Sequence, residues 1–204
     1  MKITAIQAQV KRAGRYSIFV EGKYSFSFSE STLLEQALRI GQELTEADVS
    51  ELKRLSGDDK IYSAVLRYLA MRARSEWEIT TYLTRKEADV ALQEQILNKL
   101  RDYGYVNDEN FARSWVENRR LLRPISLRKL QQELQIKHIS SDIISLVLQD
   151  DTTDEQTVLL QLIERKRRQS RYQDNQKLMQ YLAGQGFGYG DIKEALANAD
   201  NLDN

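Results

Sequence analysis

The most informative segment of the sequence reads GYVNDENFARSWVENRR and spans residues 104–120. Gly104 follows a helical pattern, and glycine often ends a helix because it readily adopts the left-handed backbone conformation. Asn107 and Asp108 are typical capping residues, whose side chains accept hydrogen bonds from the first free N–H groups of a helix. The segment therefore predicts that one helix ends near Gly104 and that the next begins near Asp108.

The second helix of this segment carries a buried face and a basic face. Phe111 and Trp115 are spaced by one helical turn, which predicts that both side chains face a hydrophobic core. Arg113, Arg119 and Arg120 lie at other positions around the same helix. We expect these three arginines to point mostly toward water.

A similar pattern recurs three times between residue 58 and the end of the chain. Each repeat has a helix that ends in basic residues, a second helix that ends in a leucine, and a third that carries an isoleucine. The recurring apolar residues are Leu83, Leu134 and Leu182, followed by Ile96, Ile144 and Ile192. A small helical unit that cannot bury its apolar face alone gains stability by stacking on its neighbours. The spacing predicts an elongated, curved array of three three-helix modules.

The N-terminal part has the pattern of a small β-sheet followed by short helices. Residues 3–10, 15–20 and 24–29 are rich in β-branched and aromatic residues, and residues 21–23 suit a hairpin turn. Aromatic residues alternate with serine in residues 24–29, which predicts three rings on one face of a strand. Those rings favour a core, with a base-stacking platform as the alternative.

Two helices and a linker are predicted before the first module. The helices cover residues 31–38 and 45–55, and Thr45 with Asp48 forms a capping-box pattern at the start of the second. The serine, glycine and aspartate at positions 56–58 suit a linker. The fold class is mainly α, and the predicted domains are 1–56, 58–106, 107–151 and 153–199.

The composition excludes several classes of protein. The chain has 30 basic and 30 acidic residues, so it is not a protein that coats nucleic acid with its whole surface. It contains no cysteine, which excludes disulfides and thiolate metal sites. No segment has the length and apolarity of a membrane span or a signal core, so we expect a cytoplasmic location and no membrane partner.

The charges are nevertheless unevenly placed. Residues 113–137 contain seven basic and two acidic residues, and residues 161–180 contain six basic and two acidic residues. Basic clusters at equivalent places in stacked modules would form a stripe that suits a phosphate backbone. Tyr172, next to one cluster, could stack on a base. The alternative is that these charges form ordinary solvated helix faces. The candidate contacts for DNA or a DNA–protein filament are Arg72, Arg74, Arg119, Arg120, Arg123, Lys129, Lys166, Arg167, Arg168 and Arg171.

No pattern indicates catalysis. His138 is the only histidine, and no cysteine or paired acidic residues accompany it. The glycine-rich segment 184–190 lacks the lysine of a phosphate-binding loop and reads as a turn. We therefore predict no catalytic residue, no cofactor, no metal and no enzymatic activity.

The chain resembles the RecX regulatory proteins, which modulate the RecA recombinase. The resemblance is carried by Gly104–Arg120, by a leucine-rich helix that ends in Arg-Ala-Arg-Ser at residues 72–75, by LQQEL and KHI within residues 130–139, and by residues 186–196. Members of the family often have glycine where this chain has His138. The resemblance covers most of the chain.

The resemblance implies a non-enzymatic regulator of homologous recombination and the SOS response. Such a protein binds in the groove of the RecA–DNA filament and inhibits filament extension, ATP hydrolysis and strand exchange. The implied partners are the RecA filament, single-stranded DNA and, as a second candidate, double-stranded DNA; we expect a monomer. Two other readings stay open: a helical DNA-binding protein without a recombinase partner, and a helical adaptor that docks an acidic protein surface.

Overall fold

The N-terminal residues form a three-stranded antiparallel sheet, as predicted. The computed structural model describes the backbone of residues 1–202 and the side chains of residues 1–198. The strands are β1 (Ile3–Ala8), β2 (Arg15–Val20) and β3 (Lys23–Ser29), in the order β1-β2-β3. A two-residue turn joins β2 to β3. The sheet packs its apolar face against helix α2, described below, to form one hydrophobic core.

The prediction that three rings share one face of β3 is wrong for Tyr24. The pairing of β2 with β3 shifts between Ile18, which faces Phe26, and Phe19, which faces Tyr24. This bulge adds one residue to β3 and moves Tyr24 to the opposite side of the sheet from Phe26 and Phe28. Tyr24 is exposed and packs edge-on against Phe19, at 6.2 Å between ring centroids, whereas Phe26 and Phe28 are fully buried.

Two helices follow the sheet, and the predicted linker between them and the modules is wrong. They are α1 (Glu30–Glu35) and α2 (Glu46–Met71). The capping box predicted at Thr45 and Asp48 is present. Helix α2 continues through residues 56–58 without interruption.

Contacts with the sheet explain why α2 does not stop at the predicted linker. The buried Ser56 hydroxyl donates to the carbonyl of Ser27 at 2.7 Å and accepts from the Ser27 N–H at 3.3 Å. One turn later, the buried Asp59 carboxylate pairs with Arg15 at 2.9 Å. Polar residues that look like a linker in the sequence are therefore the residues that dock α2 on the edge of β3.

Three groups of three helices complete the described chain, as the repeat predicts. Module 1 uses the end of α2 with α3 (Glu76–Arg85) and α4 (Val90–Asp102). Module 2 contains α5 (Asp108–Leu122), α6 (Leu127–Ile136) and α7 (Ser141–Gln149). Module 3 contains α8 (Glu155–Arg167), α9 (Asn175–Gly184) and α10 (Tyr189–Leu202), with a short 3-10 turn at Ser170–Tyr172.

The recurring leucines and isoleucines are core residues in all three modules. The leucine that closes the second helix is fully buried in each case, and the isoleucine of the third helix is at most 3% exposed. Modules 2 and 3 each have their own hydrophobic cluster. By internal contacts, the chain divides into a unit of residues 1–74 with 78–105 and a second unit of residues 75–77 with those from 106 onward. The predicted domain boundaries stay predictions.

The turn after the second helix has the same hydrogen bonding in each module. Its central residue has a positive φ: 59° at Glu87, 57° at His138 and 93° at Gly186. The N–H group of the next residue donates to the carbonyl of the module leucine, at 3.2, 3.1 and 3.4 Å in modules 1, 2 and 3. This closure satisfies carbonyl groups that the end of a helix leaves free. The turn therefore requires a left-handed residue, which explains glycine at this place in module 3.

We predict that Glu87→Gly stabilises the protein by about 0.5–1 kcal/mol. The Glu87 side chain is exposed and makes no hydrogen bond or ion pair with any residue whose side chain the structure describes, so nothing there offsets the left-handed backbone, which costs about 1–2 kcal/mol. Glycine removes this strain, but part of the gain is lost because glycine has more conformational freedom in the unfolded chain. His138→Gly is the comparison, because the His138 ring stacks on Trp77 at 4.1 Å and its removal loses that contact. Urea unfolding should rank Glu87→Gly above His138→Gly; the reverse order would contradict the explanation.

Candidate nucleic-acid interface

In module 1, both predicted cations are engaged within the protein. Arg72, just after α2, donates from Nη1 and Nη2 to the two carboxylate oxygens of Glu78 at 3.0 and 2.8 Å. These hydrogen bonds raise the pKa of Arg72 and fix its planar side chain. The guanidinium of Arg74 stacks over the Tyr68 ring, 3.8 Å from its centroid. Both arginines hold local structure, and Arg72 still leaves about half of its side chain accessible.

In module 2, Arg119 belongs to a mixed aromatic and charged cluster. One oxygen of Glu133 accepts from Arg119 Nε at 2.7 Å and from Trp115 Nε1 at 2.8 Å. The guanidinium of Arg119 and the ammonium of Lys137 both lie near the Trp115 ring, at 5.0 and 5.3 Å from its centroid. Trp115 is partly buried against the module core. The cluster leaves two cations and part of an indole ring at one surface.

The expectation that Arg120 points toward water is wrong. Its side chain is only 11% exposed and pairs with Asp151, whose side chain is 6% exposed, at 2.7 Å. Arg120 also donates from Nη1 to the carbonyl of Ile125 at 2.7 Å. Burial raises the pKa of Asp151, but hydrogen bonds from Thr153 and Arg120 outweigh it, so the pKa is lowered. Arg120 therefore joins the end of α5 to the segment after α7 and stabilises module 2.

Arg113 and Arg119 also depart from the expectation that they point mostly toward water. Arg113 is half-buried and pairs with Glu109 and Asp150, each at 2.9 Å. The hydrogen bonds that Arg113 donates to Asp150 and Glu109 raise the pKa of Arg113. A helix periodicity identifies the side of the helix away from the core, but it does not show which acidic side chains of neighbouring helices cover that side.

Arg123 and Lys129, unlike Arg120, are available to bind an external anion. Arg123 caps the end of α5 and is exposed, while Lys129 lies half-buried on α6. Neither side chain makes an ion pair with any residue whose side chain the structure describes. Both can therefore accept an external anion without breaking a contact of the fold.

Module 3 places cations beside aromatic rings. The Lys166 ammonium lies 4.4 Å from the centroid of the Tyr181 ring and 5.2 Å from that of Tyr172. The exposed Arg171 guanidinium lies 5.7 Å from the Tyr172 ring. Cations and half-buried rings at one surface suit both a phosphate backbone and an unstacked base. The sequence pointed to Tyr172, but Tyr181 was missed because the fold brings it close from a separate helix.

The two remaining candidates, Arg167 and Arg168, each contact another side chain of module 3. Arg167 donates from Nη2 to the side-chain oxygen of Asn175 at 2.8 Å. Arg168 pairs with Glu164 at 2.5 Å, but both side chains are more than two-thirds exposed. An exposed pair of this kind contributes little stability and can open at small cost.

Within residues 1–198, no group of three or more histidine, aspartate or glutamate side chains comes together as metal ligands would. Among the described helices, none is long and apolar enough to cross a bilayer. Together, the described candidates divide into paired arginines that support the fold and accessible cations that lie beside aromatic rings or at helix ends.

Comparison with known protein families shows to which family the chain belongs. The family model of the regulatory protein RecX N-terminal domain matches residues 1–45. The models of the first, second and third three-helix domains of RecX match residues 62–100, 107–148 and 153–196. The chain belongs to the RecX family. The resemblance seen in the sequence is thereby confirmed, and so is the fold of a small sheet followed by three helical modules.

Individual RecX relatives agree with this assignment over nearly the whole chain. Regulatory protein RecX of Bacillus pumilus is 33% identical over 202 residues, which cover 97% of this chain and 77% of the relative. Its counterpart in Listeria innocua is 32% identical over 204 residues, covering 98% and 76%. A crystal structure of regulatory protein RecX aligns with a TM-score of 0.68 and 30% identity over 96% of this chain and 98% of that one. RecX from Lactobacillus salivarius aligns with a TM-score of 0.58 and 25% identity, covering 71% and 97%.

Proposed function

We propose that this RecX-family protein is a non-enzymatic regulator of the RecA recombinase. It binds the RecA–DNA filament and inhibits filament extension, ATP hydrolysis and strand exchange, and it thereby limits homologous recombination and the SOS response. The observation that supports this proposal most strongly is the match of all four RecX domain models, in order, along the chain.

The repeated modules give a physical reason for such an activity. Several weak contacts on one chain, presented by successive modules, can together bind tightly because each contact raises the effective concentration of the next. A filament also repeats its own surface, so a protein with repeated modules can contact several protomers at once. We propose that the four sequence-predicted segments, 1–56, 58–106, 107–151 and 153–199, are the units that make these contacts.

We assign the DNA contacts to the accessible cations rather than to all ten candidates. Arg123, Lys129, Lys166 and Arg171 make no ion pair with a described residue, and Lys166 and Arg171 lie beside tyrosine rings. Arg168 joins this group when its exposed pair with Glu164 opens. The accessible part of the side chain contributes to DNA binding at four further positions, Arg72, Arg74, Arg119 and Arg167. Arg120 acts by stabilising module 2.

The decisive experiment is to follow RecA ATP hydrolysis on single-stranded DNA while this protein is added well below one molecule per RecA protomer. Inhibition at that ratio is expected, because a filament regulator acts on many protomers at once. Inhibition only after the DNA lattice is saturated by the added protein would instead support a simple DNA-binding protein. Absence of both inhibition and DNA binding would support the adaptor reading.

A double variant tests the assigned cations. We predict that Arg123→Ala with Arg171→Ala raises the concentration needed for half-inhibition on the order of tenfold, equivalent to about 1.4 kcal/mol for the pair. The matched control is Arg39→Ala with Arg85→Ala, two exposed arginines elsewhere that also lack a described ion pair. Equal losses in the two double variants would show that net charge, rather than the assigned positions, determines inhibition.

A further inference from the structure

A basic cleft in the N-terminal unit lies outside all the candidate positions discussed above. It opens between the turn that joins β1 to β2 and the middle of helix α2, and its volume is about 530 Å³. The residues that line it are Lys11, Arg12, Ala13, Gly14, Arg15, Ser29, Lys60, Ser63 and Arg67. Five of these nine residues are basic and none is acidic.

Four of the five cations are free to bind an external anion. Lys11, Arg12, Lys60 and Arg67 are exposed, and none of them pairs with a carboxylate in the part of the chain that the structure describes. Arg15 is different, because it is buried and neutralised by Asp59 at 2.9 Å. Arg15 therefore lines the cleft as a neutralised group, and the four free cations supply the positive potential of the cleft.

The cations are spread along the cleft rather than focused on one point. Lys60 and Arg67 are seven residues apart on one face of α2, a rise of about 10.5 Å along the helix axis. Ser63 lies between them and adds a hydroxyl donor, and Lys11 and Arg12 face them from the opposite turn. A Cβ atom added at Gly14 would meet no atom within 4 Å, so the cleft is open at that turn.

We infer that this cleft binds the phosphodiester backbone of a nucleic acid. Positive groups spread over more than one helical turn suit a run of phosphates, each neutralised by a separate side chain. A single small phosphate would contact only part of the set. The start of α1 borders the cleft at Ser29, but the N–H of Glu30 already donates to the Gly14 carbonyl at 2.9 Å and that of Thr32 to the Ser29 hydroxyl at 3.3 Å, so neither is free to hold a phosphate. An acidic protein surface fits less well, because Ala13 is the only apolar residue in the lining and protein interfaces need an apolar centre.

The inference rests on the proposed function only in taking DNA as the nucleic acid. It adds a contact in the N-terminal unit that is separate from the cations of modules 2 and 3. DNA binding by the isolated chain is therefore the measurement for the cleft, and inhibition of RecA remains the measurement for the proposed function. A negative result for DNA binding at the cleft would not contradict the proposed inhibition of RecA, and a negative result for inhibition would not contradict DNA binding at the cleft.

The test variant is Lys60→Gln with Arg67→Gln, which keeps good helix formers on α2 and removes two charges. The matched control is Lys23→Gln with Arg39→Gln, two exposed cations of the same unit that do not line the cleft. Fluorescence anisotropy measures binding of fluorescein-labelled oligo(dT) to the full chain over a range of KCl concentrations. Circular dichroism melting checks that both variants are folded.

We expect the cleft variant to bind oligo(dT) on the order of tenfold more weakly, with a log–log salt slope smaller by about 1.4, since each lost phosphate contact on a single strand removes about 0.7. The control should keep the wild-type slope. The inference is overturned if the two variants lose equal affinity or if neither changes. It is also overturned if inorganic phosphate, measured by titration calorimetry, binds in a cleft-dependent way while oligo(dT) does not.

Discussion

Replacing Asp59 with alanine is expected to lower the free energy of unfolding by about 3–5 kcal/mol, because it leaves a buried arginine without its counter-ion. The Asp59 carboxylate pairs with Arg15 and accepts hydrogen bonds from the Ser29 N–H at 2.9 Å, the Ser29 hydroxyl at 2.6 Å and the Thr32 hydroxyl at 2.7 Å. Its loss therefore disturbs the contacts of α2 with the sheet and with the start of α1 at the same time.

Two comparisons separate this explanation from a general loss of charge on α2. Asp58, the preceding residue, pairs with Arg54 on the surface, so Asp58→Ala should change stability by less than about 1 kcal/mol. Arg15→Met should cost less than Asp59→Ala, because the carboxylate would keep its three other donors. Urea unfolding followed by circular dichroism gives the ranking. A cost for Asp59→Ala as small as that for Asp58→Ala would show that the buried network contributes little.

The sequence predicted the modules well because their periodicity is a direct consequence of burial. An apolar residue that recurs at the same place in each repeat can be satisfied only by a core, and the six recurring leucines and isoleucines are all buried. The capping box at Thr45 was also predictable, since its hydrogen bonds lie within one helical turn. Local signals of this kind need no knowledge of the rest of the fold.

The errors arose where a distant contact overrides a local signal. Residues 56–58 have the composition of a linker, but the hydrogen bonds of Ser56 with Ser27 keep them helical. The alternating pattern predicted that the Tyr24 ring faces the core with Phe26 and Phe28. A bulge in the pairing of β3 with β2 instead turns Tyr24 to the opposite side of the sheet. Arg120 is buried because Asp151, 31 positions later in the chain, returns to meet it. No pattern within a single helix contains that information.

The basic cleft was missed for the same reason. Lys11 and Arg12 form a short basic pair in the sequence, and Lys60 and Arg67 are separate positions on a long helix. Only the packing of α2 against the sheet brings the two pairs to one opening. A count of charge along the sequence identifies runs, such as residues 161–180, but it does not detect a site assembled from distant segments.

Replacing Gly186 with alanine is expected to destabilise the second unit by about 2–5 kcal/mol. Part of this cost, about 1–2 kcal/mol, comes from the left-handed backbone, with φ at 93°. The remainder comes from overpacking, which typically costs about 1–3 kcal/mol. The new Cβ would clash with the hydroxyl of Ser126 and lie 2.9 Å from the Cβ of Lys129, so alanine fits neither the backbone conformation nor the available space.

The atoms that would have to move are themselves held in place. Ser126 is buried, and its hydroxyl caps α6 by accepting from the N–H of Lys129 at 3.1 Å. Its own N–H donates to the carbonyl of Gln185 at 3.1 Å, in the turn that contains Gly186. A shift that relieves the clash therefore disrupts either the cap of α6 or the hydrogen bond between modules 2 and 3.

Gly184→Ala is the matched control, because Gly184 lies in α9, its φ is not positive and an added Cβ would meet no atom within 4 Å. Alanine there should stabilise the protein by about 0.5–1 kcal/mol. Urea unfolding followed by tryptophan fluorescence reports on the second unit, since Trp77 and Trp115 both belong to it. If Gly186→Ala were as stable as Gly184→Ala, the close contact between the module 3 turn and the start of α6 would not exist in solution. The backbone at Gly186 and the helix propensity at Gly184 together account for a difference of about 1.5–3 kcal/mol, so a larger difference would support overpacking of the module 3 turn against Ser126 and Lys129.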